Sequence, residues 1–164
     1  MNLGAKIIRR FPDGRSILLS ILSSVFLIMS FPNFEYWGFA WFGFVPLFVS
    51  IDREKQSFLR SFIVGWISGT IFFFATCWWL TFAPITYAGF PAIVAYLLLL
   101  CVTGFAGLYA GLFAGLFSIV VRRFGLWGIF CAPILWTAIE FLRYWTTGNN
   151  WNAVGYSQAF NSFV

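Results

Sequence analysis

Residues Ser61–Leu80 read SFIVGWISGTIFFFATCWWL, a run of 20 residues with no charged side chain. At about 1.5 Å rise per residue, a helix of this length measures about 30 Å, the thickness of a bilayer's hydrocarbon core. The stretch before it, Asp52 to Arg60, is the most charged in the chain, so the apolar run has a sharp border. Composition favours a membrane-spanning helix over the core helix of a soluble domain. Of 164 residues, 61% are hydrophobic, 23% aromatic and only 9% charged, and the mean hydropathy is +0.87. Soluble domains carry about 25% charged residues, and this chain lacks the polar surface to coat a globule. Disorder, collagen-like repeats and folds with a large hydrated surface are excluded on the same grounds.

Outward from this span, hydropathy marks four more apolar runs. Upstream lie Ser16 to Phe31 and Trp37 to Ile51, joined by Pro32-Asn33-Phe34-Glu35-Tyr36. At about 24 and 22 Å these runs are short for a bilayer, so they read as a hairpin of two short spans or a re-entrant pair. A cleaved signal peptide is disfavoured because no A-x-A-like site follows the first run. Downstream, the connection Thr81 to Phe90 is uncharged, and Pro91 suits the first turn of a helix. The run Pro91 to Val121 would be about 46 Å long, which calls for tilt or an interfacial extension. Leu126 to Thr146 is the last run, and 147–164 reads as a polar, aromatic loop. The fold expected is an all-α integral membrane protein of about five transmembrane helices (approximately 16–31, 37–51, 61–80, 91–121 and 126–146) after a basic segment, 1–15.

Ten Lys and Arg oppose five Asp and Glu. Nine of the ten fall into three short groups between apolar runs: Lys6, Arg9, Arg10 and Arg15; Arg53, Lys55 and Arg60; Arg122 and Arg123. That is the positive-inside pattern of cytoplasmic loops, not a nucleic-acid-binding face. With a cytoplasmic N-terminus, five crossings put all nine on the inner side and leave only Glu35 in the outer connections. The segment after Thr146 then faces the outer side. Histidine is absent, which removes Ser-His and Cys-His catalysis and His-based metal or haem ligation; no metal site and no cofactor are expected. Cys77, Cys101 and Cys131 lie in apolar runs and read as small buried groups.

Gly65 with Gly69, and Gly107 with Gly111 and Gly115, recur every fourth residue. This spacing lines one helix face with small residues and lets two backbones approach closely in lipid. It serves either packing within the chain or a homodimer seam. Two ionisable residues lie inside an expected span, Glu140 and Arg143, three apart and therefore on one helix face. Each costs about 2.5–3.5 kcal/mol near the bilayer centre, less toward the interface. The two alternatives are a functional site and a structural ion pair that orients the helix. Trp136 precedes them by one turn on the same face, and Trp145 and Trp151 follow; a Trp belt at the membrane interface accounts for such indoles equally well.

The stretch Trp136-Thr137-Ala138-Ile139-Glu140-Phe141-Leu142-Arg143, followed by Gly148, Trp151 and Gly155-Tyr156-Ser157-Gln158, resembles the W-x3-E-x2-R, G-x-x-W, G-Y-S-Q pattern of apolipoprotein N-acyltransferases. Phe31-Pro32, Trp37, Ala40-Trp41 and Val45-Pro46-Leu47 are similar to that family's first two spans. Asn149-Asn150 departs from the aromatic or proline that relatives often carry before the Trp. The resemblance implies a bacterial inner-membrane protein, multi-pass, acting at the periplasmic side. It implies transfer of an acyl chain from a phospholipid donor, through a cysteine thioester, to the α-amine of a diacylglyceryl-apolipoprotein acceptor. Family members are longer and carry a nitrilase-like domain with a Glu, Lys and Cys triad, none of which maps onto this sequence. The expectation is therefore the family's membrane portion, truncated or completed by a separately encoded catalytic chain, and inactive alone. Trp136, Glu140, Arg143, Trp151, Gly155, Tyr156, Ser157 and Gln158 are the site-supporting candidates. Two further classes stand beside this one: a small transporter subunit with Glu140 as its ion site, and a structural membrane scaffold.

Overall fold

The computed structural model describes residues 11–159; Lys6, Arg9 and Arg10 of the basic segment, and residues 160–164 of the final loop, lie outside them. The described residues form α1 (Gly14–Met29), a 3-10 turn (Trp37–Trp41), α2 (Val45–Glu54), α3 (Phe58–Thr76), a 3-10 turn (Trp78–Thr81), α4 (Phe82–Thr86), α5 (Ala92–Phe124), a 3-10 segment (Gly125–Cys131), α6 (Ala132–Thr147) and a last 3-10 turn (Val154–Gln158). No strand occurs among the described residues. Among the described residues, two helical stretches are long and apolar enough to cross a membrane, Phe58–Thr76 and Ala92–Thr147.

Two of the expected helices start later than hydropathy suggests. The run 37–51 is a 3-10 turn followed by a helix beginning at Val45, and the run 126–146 opens as a 3-10 segment with its α-helix beginning at Ala132. Pro46 and Pro133 sit in the first turns of these helices. A proline lacks the N–H that an earlier turn would need and its ring crowds the carbonyl four residues back, so regular helix starts beside it. In the opposite sense, α3 begins inside the charged stretch: Ser57 is its N-cap, with Oγ accepting from the Arg60 N–H at 3.4 Å. Its α-helix ends at Thr76, short of Leu80.

Packing orders the helices. Ser20 Oγ donates to the Val64 carbonyl at 2.6 Å and Ser24 Oγ to that of Ser68 at 2.9 Å, so α1 and α3 run side by side in the same direction. Ser23 Oγ donates to Gly43 O and Ser50 Oγ to Ser16 O, so α2 returns antiparallel to α1. Each is a buried hydroxyl satisfied by a backbone carbonyl, which lets polar residues sit in an apolar bundle. Between α3 and α5 the glycines are consumed. A Cβ at Gly65 would come 2.5 Å from Ala110 O, one at Gly69 2.6 Å from Ala110 Cβ, one at Gly107 2.9 Å from Thr70 N, one at Gly111 3.0 Å from Phe62, and one at Gly115 2.6 Å from Phe58. All five lie in an antiparallel contact within the chain, not on a free seam. Finally α6 folds back on α5: Tyr109 hydroxyl and Thr146 Oγ1 are hydrogen-bonded at 2.5 Å, and Gly128 lies against Val120. The core that results joins Leu47, Ile51, Val64, Phe113, Ala114, Phe117 and Ile139.

These directions bring the starts of α1 and α3 and the ends of α2 and α5 to one end of the bundle. Ion pairs knit that end: Arg53 to Asp13 at 3.0 Å, Arg60 to Glu54 at 3.2 Å and Lys55 to Asp52 at 2.8 Å. Glu54 is buried and its other oxygen accepts the Asp13 N–H at 2.8 Å. Of the cysteines only Cys77 is buried; Cys101 and Cys131 face outward from the bundle, because they fall on the stripes of their helices that no neighbour covers.

Candidate functional site

At the opposite end, α6 presents Trp136, Glu140 and Arg143 to the bundle. Positions i, i+4 and i+7 share one face of a helix. The Trp136 ring is held between Phe44 and Phe113, edge-on to each, at 4.8 and 4.9 Å. Arg143 is buried, lies over the Phe73 ring at 5.2 Å and donates from Nη1 to the Trp151 carbonyl at 3.0 Å. Glu140 Oε1 accepts the Val154 N–H at 3.2 Å. Glu140 and Arg143 do not form an ion pair with each other; each side chain binds the backbone of the segment that follows the helix.

That segment is shaped by its own turn chemistry. Gly148 caps α6 in the left-handed conformation, φ 66°, and returns its N–H to Tyr144 O at 2.8 Å; a glycine meets that requirement without strain. Asn149 Oδ1 accepts from the Trp151 N–H at 2.6 Å. Asn152, also at positive φ (56°), donates from Nδ2 to Thr76 Oγ1 at 2.9 Å and to Cys77 Sγ at 3.0 Å. The Trp151 ring packs on Trp79 at 5.0 Å. The loop is thus fastened to α6 by Arg143 and Glu140, and to the end of α3 by Asn152.

The remaining candidates lie further out. Ser157 is buried and donates to Val154 O at 2.7 Å, while Gln158 Nε2 donates to Trp37 O at 3.2 Å, tying the last turn to the first hairpin. Tyr156 and Gly155 are exposed, and a side chain at Gly155 would meet open space. Sequence reasoning missed Asn152, Phe73 and Tyr109. For Asn152 there was a faint signal, an Asn in a polar loop where a left-handed turn is tolerated; Phe73 and Tyr109 had none, being ordinary members of apolar runs.

Two spaces adjoin this cluster. A small internal cavity of about 30 Å³ is lined by Trp136, Glu140, Arg143, Asn152 and Tyr109 on its polar side and by apolar residues including Leu27, Phe72 and Ile139 on the other. A larger cleft of about 600 Å³ opens between the end of α3, the first half of α5 and the end of α6. Its walls are mainly apolar, Leu98, Leu99, Val102 and Phe105 among them, and Arg143 is its one charged lining residue.

Fold and site together define a helical membrane protein whose last helix clamps a polar loop to one end of the bundle. The family model described as apolipoprotein N-acyltransferase N-terminal domain matches residues 23–164, and the chain belongs to that family. Among curated relatives, the apolipoprotein N-acyltransferase of Pasteurella multocida (strain Pm70) is 33% identical over 148 residues, 89% of this chain and 27% of the relative. That of Geobacter metallireducens is 30% identical over 158 residues, 91% and 29% respectively. That of Haemophilus influenzae is 30% identical over 148 residues, 89% and 27%. The chain therefore spans under a third of the length of these relatives.

Proposed function

We propose that this chain is the membrane portion of an apolipoprotein N-acyltransferase. Its role is to admit a phospholipid acyl donor and a diacylglyceryl-apolipoprotein acceptor to chemistry carried out by a catalytic domain at the outer face. The bundle crosses a bacterial inner membrane five times with its N-terminus in the cytoplasm, which puts the loop after α6 on the periplasmic side. The observation that carries this reading is the cleft of about 600 Å³ beside the clamped loop. It lies within the size range of small-molecule sites, is lined by residues an acyl chain would wet, and has Arg143 at its polar end. Arg143 is four residues from the end of α6, about 6 Å along the axis, a depth suited to the ester and headgroup region. Trp151 lines that cleft, while Trp136, Glu140 and the Gly155–Gln158 turn support the site from outside it by holding the loop and the first hairpin in place; none of them performs the chemistry.

A chimera tests the proposal. Residues 23–164 of this chain would replace the matching part of the Pasteurella multocida relative, and transfer of acyl chain to a diacylated peptide amine would be assayed in membranes. Transfer at a rate comparable with the parent enzyme is expected. A chimera that inserts at normal abundance yet transfers nothing overturns the proposal. The transporter reading has less support, since away from the ion-paired end of the bundle the acidic and basic side chains within the described helices are Glu140 and Arg143 of α6 alone, and transport sites usually draw on several helices near the midplane.

A further inference from the structure

Two open spaces adjoin along a flank of α6 other than the one that faces the Arg143 cleft. The first, a groove of about 530 Å³ between the first hairpin and α6, is walled by Trp41, Phe44, Phe48, Phe113, Phe130 and Trp136 among others. None of its lining residues is charged, and Trp41 and Phe130 are exposed. Thr137 lines this groove and also the second space, a recess of about 220 Å³ shared with Glu140, Phe141, Tyr144 and Asn150. Residues 137, 140, 141 and 144 form one helical stripe, so the apolar groove leads into a polar end. There Glu140 uses one oxygen, Oε1, to accept the Val154 N–H; its Oε2 accepts no hydrogen bond and is not a buried atom. No basic side chain pairs with Glu140 among the described residues. Nor do the Thr137 hydroxyl, the Tyr144 hydroxyl or the Asn150 side chain make a hydrogen bond among the described residues.

We propose that groove and recess together hold the acceptor lipid, an acyl chain in the groove and the primary ammonium of its α-amine at Glu140, while the Arg143 cleft takes the phosphate-bearing donor. This assignment rests on the function proposed above and divides between two flanks of α6 what that reading placed at one end of the bundle. An ammonium group has N–H donors and no acceptor, and the recess offers it a free carboxylate oxygen, two hydroxyls and an amide oxygen. Phe141 and Tyr144 add aromatic surface, which also favours a cation. Charge sorts the two lipids. A phosphate meets a cation at Arg143 and would meet an anion at Glu140. In the acceptor the cysteine carboxyl is consumed in a peptide bond, so its α-ammonium arrives with no anion beside it. An ethanolamine phospholipid also carries an ammonium, but its phosphate follows within a short link and would be set against Glu140, a like-charge contact that selects against it. The groove lies within the volume range of small-molecule sites, and its uncharged wall suits an acyl chain.

Photolabelling tests the assignment on the full chain in phosphatidylcholine nanodiscs. The probe is a synthetic diacylglyceryl-cysteine peptide with a diazirine in one acyl chain, used with its α-amine free or N-acetylated, and labelled residues are read by mass spectrometry. The free amine form should label Trp41, Phe48 and Phe130 and bind about tenfold more tightly than the acetylated form, as for one hydrogen bond to a charged group. In Glu140→Gln, whose amide oxygen still accepts the Val154 N–H, that preference should vanish. Thr137→Trp, a bulky side chain at an exposed position between groove and recess, should weaken groove labelling with Glu140 left in place. Labelling of Leu98, Val102 and Phe105 in the cleft instead, equal binding of the two peptide forms, or equal labelling of the groove by a diazirine phosphatidylethanolamine overturns the proposal. Acyl transfer is not the readout, so the two failures are separable. A chimera that transfers while the peptide labels the cleft keeps the membrane-portion role and rejects the separate acceptor site; a groove that selects the free amine in a chain whose chimera is inactive does the reverse.

Discussion

Asn152 joins residues 76 and 75 positions apart in the chain, through Thr76 Oγ1 and Cys77 Sγ. Replacing it with Ala removes both donations and should cost roughly 0.5–1.5 kcal/mol. Because Cys77 is buried under this contact, its alkylation by a maleimide should speed up, read as the ratio of its rate to that in the unsubstituted protein. An unchanged ratio would mean that Asn152 does not hold the loop down. At Glu140 the two conservative questions separate. In Glu140→Gln an amide oxygen still accepts the Val154 N–H, whereas Glu140→Ala leaves that donor without its partner, at about 1–3 kcal/mol where the group stays buried. Limited proteolysis of the 148–153 segment should therefore be faster in the Ala variant than in the Gln variant, and equal rates would rule out the bond as the fastening.

At the scale of elements, the α3–α5 contact is the tightest joint, and two glycines of α5 test it against each other. A side chain at Gly107 collides with Thr70, including its backbone N, whereas one at Gly104 meets nothing. Gly107→Val should lose about 1–3 kcal/mol or more through overpacking. Gly104→Ala should hold or gain up to about 1 kcal/mol, from the better helix propensity of Ala. Unfolding in detergent monitored by circular dichroism reads both, and a mild Gly107 variant would show that the helices separate at little cost. The same joint answers the question that the sequence left open about the glycines. Spacing identifies a face on which backbones can approach, but not which helix approaches it; the partner is decided by antiparallel packing of Phe58, Phe62, Gly65 and Gly69 along α5.

For the whole molecule, the arrangement separates the charges by end. Asp13, Arg53, Glu54 and Arg60 interlock at one end, and the Trp79–Trp151 contact and the clamped loop occupy the other. A reporter active only outside the cytoplasm, fused after Ala88 and after Asn150, should be active in both; fused after Gln56 and after Gly125, it should be silent. The inverse pattern would reverse the orientation, and one state shared by Ala88, Gly125 and Asn150 would reject separate crossings by α5 and α6.

The membrane class and the position of the apolar runs were legible in the sequence because transfer from water is additive over residues and needs no knowledge of neighbours. The Trp136, Glu140 and Arg143 face was legible for a similar reason, since helical periodicity alone puts the three together. Helix starts at Val45 and Ala132 were not, although Pro46 and Pro133 marked them, because hydropathy averages over the hydrogen-bond geometry that a proline alters. Nor was the choice between ion pair and separate roles at Glu140 and Arg143. That choice depends on where the backbone of residues 148–154 turns, and so on contacts with Thr76, Cys77 and Trp79 made across the bundle. Composition and charge order by themselves determined a helical membrane protein with a polar, aromatic segment after its last helix. The tertiary structure alone decided what that segment is fastened to, because hydrogen bonds between distant parts of the chain are short-ranged and directional, and exist only once the helices have been packed.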